Sequence, residues 1–264
     1  MRKRYKLPFV VRGETEIFSR KRFGQHFLVD GDVIDRIVET LNVKTGERIL
    51  EIGPGRGALT KSLMSLDSEM SAIEIDRDLV AELRTTFPRL YVLEADVMKC
   101  DLSIADGKRV VGNLPYNLST PLLNKLFEQP DITDMTFMLQ KEVVERLVSR
   151  PDTKSWGRLS VVAQYHCQIE ELLQVPSTAF KPQPRVDSAV VRLTPIDRDI
   201  PAMDLAVFRD VVRSAFMQRR KRVSNSLKSY EINWASVGIH SGLRAENLDV
   251  NDFVTIANSV VTRS

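Results

Sequence analysis

The sequence predicts an α/β protein, with a mostly parallel, Rossmann-like sheet in its first three quarters and a small all-helical domain at its end. Strand-like apolar runs alternate with segments of helical spacing from about residue 30 to residue 193. This alternation is typical of βαβ units whose parallel sheet is covered on both faces. Beyond Ile196 the alternation stops, and the apolar residues recur only at helical spacing.

The predicted elements follow one another in a regular order. Strands are predicted at 48–52, 70–75, 90–93, 110–111 and 135–140, and helices at 30–42, from 58, and at 79–87, 121–128 and 141–148. Pro88 stops the third of these helices, and Pro121 stands in the first turn of the fourth. Apolar runs at 159–167, 171–175 and 188–193 complete the alternation. In such a sheet, ligand-binding loops belong at the carboxyl ends of the strands.

Composition excludes several classes of function. Cys100, Cys167 and the three histidines are scattered along the 264 residues, so neither a disulfide framework nor a metal site is predicted. A Ser/His/Asp triad has as little support. We find no apolar stretch long enough to cross a membrane, and the basic start lacks the apolar core of a signal peptide. We therefore expect a cytoplasmic protein with no membrane partner.

The net charge of +3 is unevenly distributed. Residues 1–22 hold eight Lys or Arg and two acids, and residues 209–228 hold seven Lys or Arg and one acid. The rest of the chain is therefore net acidic. Basic clusters on an acidic body favour a polyanionic partner such as nucleic acid. A solvated basic face is the alternative for either cluster alone.

A four-residue turn at 113–116 suggests chemistry on a planar amine. The side-chain oxygen of Asn113 and the carbonyl of Leu114 can each accept a hydrogen bond from one amine. Pro115 fixes the turn, and Tyr116 can stack on a base. Two acceptors would draw the lone pair of an adenine N6 out of the ring and aim it at an electrophile. A polar turn closed by proline is the alternative for these residues alone.

A glycine loop and two strand-end acids indicate a nucleotide-like cofactor. Gly53 and Gly55 follow the first predicted strand, and Glu74 and Asp96 follow the next two. The loop also fits a dinucleotide fingerprint, and Glu74 could serve the ribose of NAD equally well. Asp96, placed to accept from an adenine amino group, and the turn at Asn113 suit S-adenosylmethionine better.

Several motifs together resemble the ribosomal RNA adenine N6-dimethyltransferase family, and most closely its small-subunit branch. They lie at residues 21–28, 51–57, 74–76, 96, 113–116, 180–188 and 216–221. The resemblance runs in order from about residue 19 to the end of the chain. It implies a Rossmann-like methyltransferase domain at 19–195 and a helical domain at 196–264 that contacts RNA. Residues 1–18 extend beyond the family's usual start, and we expect them to form a flexible basic extension.

The resemblance also implies an activity, namely the transfer of methyl groups from S-adenosylmethionine to two adjacent adenines near the 3′ end of 16S rRNA. The substrate would be a precursor of the small ribosomal subunit, and the enzyme is expected to be a monomer. The implied cofactor contacts are His26, Leu28, Gly53, Glu74, Asp96 and Asn113, with Gly55 in the same loop. At position 26 the family usually has Asn, so only a backbone contact of His26 is implied.

The target base must be unpaired or flipped to reach such a pocket. Tyr116 and Phe180 are predicted to stack on its two faces, although a core position beside two prolines is an equal alternative for Phe180. Arg219, Arg220 and Arg222 are predicted to contact RNA phosphates from the helical domain.

Three other functions remain open. The first is a large-subunit rRNA adenine dimethyltransferase, against which the motifs at 180–184 and 216–221 argue. The second is a non-catalytic ribosome-assembly factor with the same fold. The third is an NAD oxidoreductase, which the turn at Asn113 makes less suitable.

Overall fold

The computed structural model of the protein describes residues 26–261. The basic extension at 1–18 and the part of the motif at 21–28 that precedes His26 lie outside the described residues. The sheet region contains β1 (Phe27–Leu28), α1 (Gly31–Leu41), β2 (Arg48–Ile52), α2 (Ala58–Met64), β3 (Glu69–Glu74), α3 (Arg77–Thr86), β4 (Tyr91–Glu94), β5 (Arg109–Asn113), α4 (Ser119–Leu126), β6 (Asp134–Gln140), α5 (Lys141–Leu147), α6 (Arg158–His166), β7 (Cys167–Val175), β8 (Phe180–Lys181) and β9 (Ser188–Pro195). The helical region contains α7 (Leu205–Met217), α8 (Val223–Ser226), α9 (Trp234–Val237) and α10 (Val250–Val261).

A seven-stranded sheet forms the centre of the larger region, in the order β4-β3-β2-β5-β6-β9-β7. The first five strands are parallel, and β9 and β7 run antiparallel to their neighbours. This confirms the predicted mostly parallel, Rossmann-like sheet. The antiparallel pair accounts for the apolar runs at 171–175 and 188–193, whereas the run at 159–167 is largely helix α6.

Helices cover both faces of the sheet because its strands are apolar on both sides. Ile49 and Leu50 of β2 point to opposite faces, and neither is exposed. Helices α1, α2 and α3 pack on the face that contains Ile49. Helices α4, α5 and α6 pack on the other face, in a core that continues into α7, α8 and α10. The helical region is therefore packed directly against the sheet region.

The carboxyl ends of the parallel strands lie along one edge of the sheet. At this edge β2 leads into a glycine loop, β3 ends at Glu74, β4 ends two residues before Asp96, and β5 ends at Asn113. A short antiparallel pair, β1 with β8, forms a separate two-stranded sheet. No helix of the described residues is long and apolar enough to cross a membrane.

Candidate active site

A cavity of about 700 Å³ opens at the carboxyl edge of the sheet. Ten residues that the sequence and the family resemblance predicted for the site line this one cavity, namely His26, Leu28, Gly53, Gly55, Glu74, Asp96, Asn113, Leu114, Pro115 and Tyr116. They come from segments that are distant in sequence. The parallel topology brings most of them together because it places the strand ends side by side, and the β1 segment adds His26 and Leu28.

The glycine loop after β2 needs its glycines for conformation and for space. Gly53 and Gly55 have φ angles of 68° and 58°, in the left-handed region that side chains rarely adopt. A Cβ atom added to Gly55 would lie 3.2 Å from the ring of Phe27. The Arg56 guanidinium lies over the same ring, 5.3 Å from its centroid. The loop and β1 thus approach each other closely at the cavity wall.

Glu74 is a buried carboxylate held by the backbone. Its Oε2 accepts a hydrogen bond from the Gly55 amide at 3.1 Å, and its Oε1 accepts from the Ile75 and Asp76 amides at 2.9 Å each. Burial raises the pKa of the Glu74 carboxyl above its ordinary value, and these three bonds partly oppose the shift. Since a carboxylate has about four acceptor positions, Glu74 retains capacity for a ligand donor.

Asp96 lies in a tight turn after β4. Its Oδ1 accepts from the Met98 amide at 2.9 Å, and Lys99 lies 3.6 Å from its Oδ2. Lys125, near the end of α4, donates to the carbonyls of Val97 and Cys100 at 3.2 and 2.5 Å. Helix α4, which follows the turn at 113–116, therefore braces the loop that presents Asp96. This contact was not predicted from the sequence.

The Asn113 amide is oriented by one hydrogen bond. Its Nδ2 donates to the His26 carbonyl at 3.0 Å. Only the amide nitrogen can pair with a carbonyl oxygen, so the bond assigns the orientation of the side chain and leaves Oδ1 available as an acceptor. The backbone of His26 thus contributes to the site through Asn113, and the cofactor contact that the family resemblance implied for it stays a prediction.

The rest of the turn is fixed by contacts on its inner side. The Leu114 side chain is buried, and its amide donates to the Met138 carbonyl at 3.3 Å. The Pro115 carbonyl accepts from the Leu118 amide at 2.9 Å. The hydroxyl of Tyr116 lies 3.1 Å from Oγ of Ser188 on β9. These contacts hold the Tyr116 ring at the cavity wall.

Phe180 occupies a different position from the one predicted. Its side chain is 2% exposed and belongs to the core beneath α1, α2 and α3. This corrects the prediction that Phe180 stacks on the target base. The reason is register: Phe180 pairs with Leu28 in the β1–β8 ladder, and alternation turns Phe180 inward and leaves Lys181 exposed.

Arg219 is engaged within the protein. It donates through Nε to the Glu246 carboxylate at 2.9 Å and through Nη2 to the carbonyls of Thr153 and Lys154 at 3.2 and 3.0 Å. It therefore ties the helical region to the loop before α6. Arg220 and Arg222 are exposed and remain the better candidates for RNA contact.

The sequence also gave no role to a second buried carboxyl, that of Glu51. Glu51 is 2% exposed, lines the cavity, and accepts a hydrogen bond from Oγ1 of Thr60 at 2.5 Å. Burial raises the pKa of the Glu51 carboxyl to about 7, with a smaller contribution from the nearby charge of Glu74. Its place at the start of the motif at 51–57 was the only available signal.

The residues present fit S-adenosylmethionine. Glu74 offers acceptor capacity suited to a ribose diol, and Asp96 offers an acceptor suited to an adenine amine. The left-handed glycine loop presents backbone without a Cβ, which lets a ligand approach closely. Within residues 26–261, no group of three or more His, Cys, Asp or Glu side chains is arranged to hold a metal ion.

Comparison with known proteins agrees with this fit. The family model of the ribosomal RNA adenine dimethylases matches residues 18–261. The chain is 52% identical to a ribosomal RNA small subunit methyltransferase A from Alcanivorax borkumensis, over 91% of this chain and 89% of the relative. It is 48% identical to the protein of that name from Pseudomonas aeruginosa, over 92% and 94% of the two chains.

Two solved structures share the fold over nearly the whole chain. A dimethyladenosine transferase from Plasmodium falciparum has a TM-score of 0.74 and 26% identity, covering 88% of this chain and 96% of its own. The 23S rRNA methyltransferase ErmE has a TM-score of 0.67 and 25% identity, covering 89% and 99%. The small-subunit relatives are thus much more similar in sequence than the 23S rRNA enzyme.

We predict that Glu74→Ala weakens binding of S-adenosylmethionine at least about tenfold, because hydrogen bonds to a charged acceptor are worth about 1.5–3 kcal/mol. Calorimetric titration measures this effect. Glu94→Ala is the matched control, since Glu94 is an exposed acid paired with Glu74 in the neighbouring strand. Equal affinities of the two variants would contradict the assignment.

A second prediction concerns the pH dependence of stability. The pKa of Glu51 is raised to about 7 in the folded protein, so the folded state binds this proton more tightly than the unfolded state. The resulting stabilisation is complete below the unfolded pKa, near 4.3, and is lost as the pH rises through about 7. Cofactor-free wild type should therefore lose stability relative to Glu51→Gln between pH 5 and pH 8, by on the order of 3 kcal/mol at most.

Denaturant unfolding at several pH values tests this expectation. Glu82→Gln, at an exposed position on α3, serves as the control and should follow the wild-type curve. Parallel curves for wild type and Glu51→Gln would show that Glu51 does not hold a proton in the folded state near pH 6.

Proposed function

Since this chain belongs to the ribosomal RNA adenine dimethylase family, we propose that it dimethylates N6 of two adjacent adenines near the 3′ end of 16S rRNA. It is an S-adenosylmethionine-dependent methyltransferase. The substrate is proposed to be a precursor particle of the small subunit, and the enzyme a cytoplasmic monomer. The support is the naming of relatives at 46–52% identity as small subunit methyltransferases, compared with 25% for the 23S rRNA enzyme.

The observation that carries the mechanism is the oriented amide of Asn113 at the cavity wall. With Nδ2 bonded to the His26 carbonyl, Oδ1 can accept one N–H of the target amine. The Leu114 carbonyl accepts the other N–H, and Pro115 holds the turn that aims it. The two acceptors favour the tetrahedral nitrogen that develops during attack, so they stabilise the transition state more than the bound substrate.

Cofactor binding is proposed for the part of the cavity that is lined by the glycine loop and the strand-end acids. Glu74 binds the ribose hydroxyls, Asp96 accepts from the adenine amine, and the loop at Gly53 and Gly55 lies against the ligand backbone. The His26 carbonyl, which precedes β1, and Leu28 of β1 complete the contacts. The bound cofactor supplies a methyl group made electrophilic by its sulfonium, so the protein needs mainly to position and polarise the amine.

The target adenine is proposed to enter as an unpaired or flipped base, because a base inside a duplex cannot enter a cavity in the protein. Tyr116 offers a ring for stacking. We propose that residues 19–195 form the catalytic domain and that 196–264 form the RNA-contacting domain. Arg220 and Arg222, both exposed, are proposed to bind phosphates without reading bases.

A single experiment tests the function. The protein is incubated with unmethylated small subunits, large subunits and labelled S-adenosylmethionine, and the modified nucleotides are mapped. Dimethylation of two adjacent adenines near the 3′ end of 16S rRNA is the expected result. Label in 23S rRNA would support the large-subunit alternative. Particle binding without any methyl transfer would support a non-catalytic assembly factor.

We predict that Asn113→Ala lowers turnover on small subunits by about 10²-fold, the usual effect of removing one preorganised hydrogen-bonding group from a transition state. Affinity for the particle should stay within about twofold, because phosphate contacts supply most of it. Asn233→Ala, at an exposed position before α9, is the control and should leave turnover unaltered. Near-normal dimethylation by Asn113→Ala would contradict the proposed role.

A further prediction concerns the basic surface. The double variant Arg220→Gln/Arg222→Gln should bind small subunits more weakly and show a log–log salt dependence less steep by about 1.5–2. Cofactor affinity should be unchanged. Arg36→Gln/Arg89→Gln removes two exposed arginines of the sheet region and is the matched control. If both double variants have the same salt slope, Arg220 and Arg222 are only a solvated face.

A further inference from the structure

One arginine of the segment between the sheet region and the helical region bonds to both of them. Arg198 lies in residues 196–204, between β9 and α7, which we call the connecting segment. Its Nε donates to the Tyr165 carbonyl and its Nη2 to the Gln164 carbonyl, both at 2.7 Å. Its Nη1 donates to Oδ1 of Asn251 at 2.9 Å. One guanidinium therefore bonds the last turn of α6 in the sheet region and the first turn of α10 in the helical region.

The end of α6 is well suited to a guanidinium. The last carbonyls of a helix have no partner within it and form the negative end of its dipole. A planar guanidinium can donate to two neighbouring carbonyls at once, which a lysine ammonium does with poorer geometry. The guanidinium also lies over the Tyr165 ring, 5.0 Å from its centroid, and the centroid of the Phe208 ring in α7 lies 4.5 Å from that of Tyr165. Through one ring, Arg198 is thus connected to the helix that leads to the exposed arginines.

The rest of the connecting segment is bonded to the same two helices. The Ala202 amide donates to the Tyr165 hydroxyl at 3.1 Å, and the Met203 amide donates to Oδ1 of Asn258 at 2.8 Å. Asn251 and Asn258 are seven residues apart, so they lie on one face of α10. The connecting segment therefore follows that face and joins it to the end of α6.

Helix α6 is attached to the helical region at both of its ends. Near its start, Trp156 donates to the Leu248 carbonyl at 3.1 Å, and Arg219 bonds the carbonyls at 153–154. Nine residues of helix, or about 13 Å, lie between this point and Arg198 at the other end. Apolar side chains fill the space between α6, α7 and α10, and apolar contacts are not directional, so they oppose separation more than rotation. With the attachment at one end lost, the helical region could pivot about the other.

We propose that Arg198 is a positioning residue for methyl transfer, which fixes the angle between the helical region and the carboxyl-edge cavity. The inference rests on the proposed function, because it takes the helical region as the part that holds the particle. Arg198 is not among the described residues that line the cavity, so it acts through α6, α7 and α10. Since a misplacement of about 1 Å can cost about 10²-fold in rate, a small rotation of the bound particle would slow transfer without releasing it.

The first measurement is the angle itself, in the full chain and without RNA. Spin labels are attached at Glu82→Cys on α3 and Thr255→Cys on α10, two exposed positions, in a chain that also carries Cys100→Ser. The distribution of the distance between the labels is compared with and without Arg198→Ala. We expect a broader distribution in the variant, because one of the two attachments of α6 is lost.

Two further variants define which bond matters. Asn251→Ala removes only the bond to the helical region, so it should broaden the distribution in the same direction but less, whereas Asn233→Ala should not. Arg209→Ala is the matched control for Arg198→Ala. Its ion pair with Glu128, at 2.7 Å, also joins the two regions, but the Glu128 side chain is 54% exposed, and exposed pairs contribute little.

The second measurement is activity. Turnover on saturating unmethylated small subunits should fall about tenfold in Arg198→Ala, within the range that misplacement produces. Particle binding and cofactor affinity, measured separately, should stay within about twofold, because the phosphate contacts and the cavity are unaltered. Added methylguanidinium should restore part of the turnover, and methylammonium at the same concentration should not, because only the planar cation reproduces the fork.

Three results would overturn the inference. The first is a label distribution unchanged in Arg198→Ala or broadened as much in Arg209→Ala. The second is a loss of particle or cofactor affinity that accounts for the whole loss of turnover. The third is equal recovery with methylammonium. If Arg198→Ala does not fold, the comparison of Asn251→Ala with Asn233→Ala decides both measurements. Should the wild type methylate a different nucleotide, the proposed function fails, while the label distances still decide whether Arg198 sets the angle.

Discussion

The hydrogen bond from Asn113 Nδ2 to the His26 carbonyl connects the two halves of the site. Asn113 ends β5 in the middle of the sheet, whereas His26 precedes β1, which belongs to a separate two-stranded ladder. The bond leaves the Asn113 oxygen available as an acceptor and connects β5 to the β1 segment at the cavity wall. An amide without this partner would be free to rotate, and the acceptor would lose its direction.

Two buried carboxyl groups lie at the same edge of the sheet. Glu51 lies one residue before the end of β2, and Glu74 ends the neighbouring strand β3. Both are nearly inaccessible to solvent, and burial raises the pKa of each. Three backbone amides stabilise the Glu74 carboxylate, but Glu51 has a single hydroxyl partner. A cofactor with hydroxyl and amine donors and a positive sulfur would supply hydrogen bonds and a positive charge to these carboxyls. Burying the two carboxyls without enough partners costs free energy in the free protein, so a ligand that supplies those partners is bound more favourably.

The helical region is joined to the sheet region by specific polar contacts as well as by a shared core. Trp156 Nε1 donates to the Leu248 carbonyl at 3.1 Å, and Arg219 bonds the loop at 153–154 and Glu246. These contacts fix the basic surface that includes Arg220 and Arg222 relative to the cavity. The exposed arginines therefore keep a defined orientation relative to the turn at 113–116.

The sequence by itself determined the sheet, the glycine loop, the strand-end acids and the turn at 113–116. These features are local, and the parallel topology that they imply places all strand ends at one edge. Only the tertiary structure decided the positions of Phe180, Arg219 and His26. Each depends on a partner far away in the sequence: Leu28 for Phe180, Glu246 for Arg219, and Tyr116 for His26. A local pattern shows that a side chain is aromatic or charged, but the register of β1 against β8 and the packing of the helical region determine which way it faces.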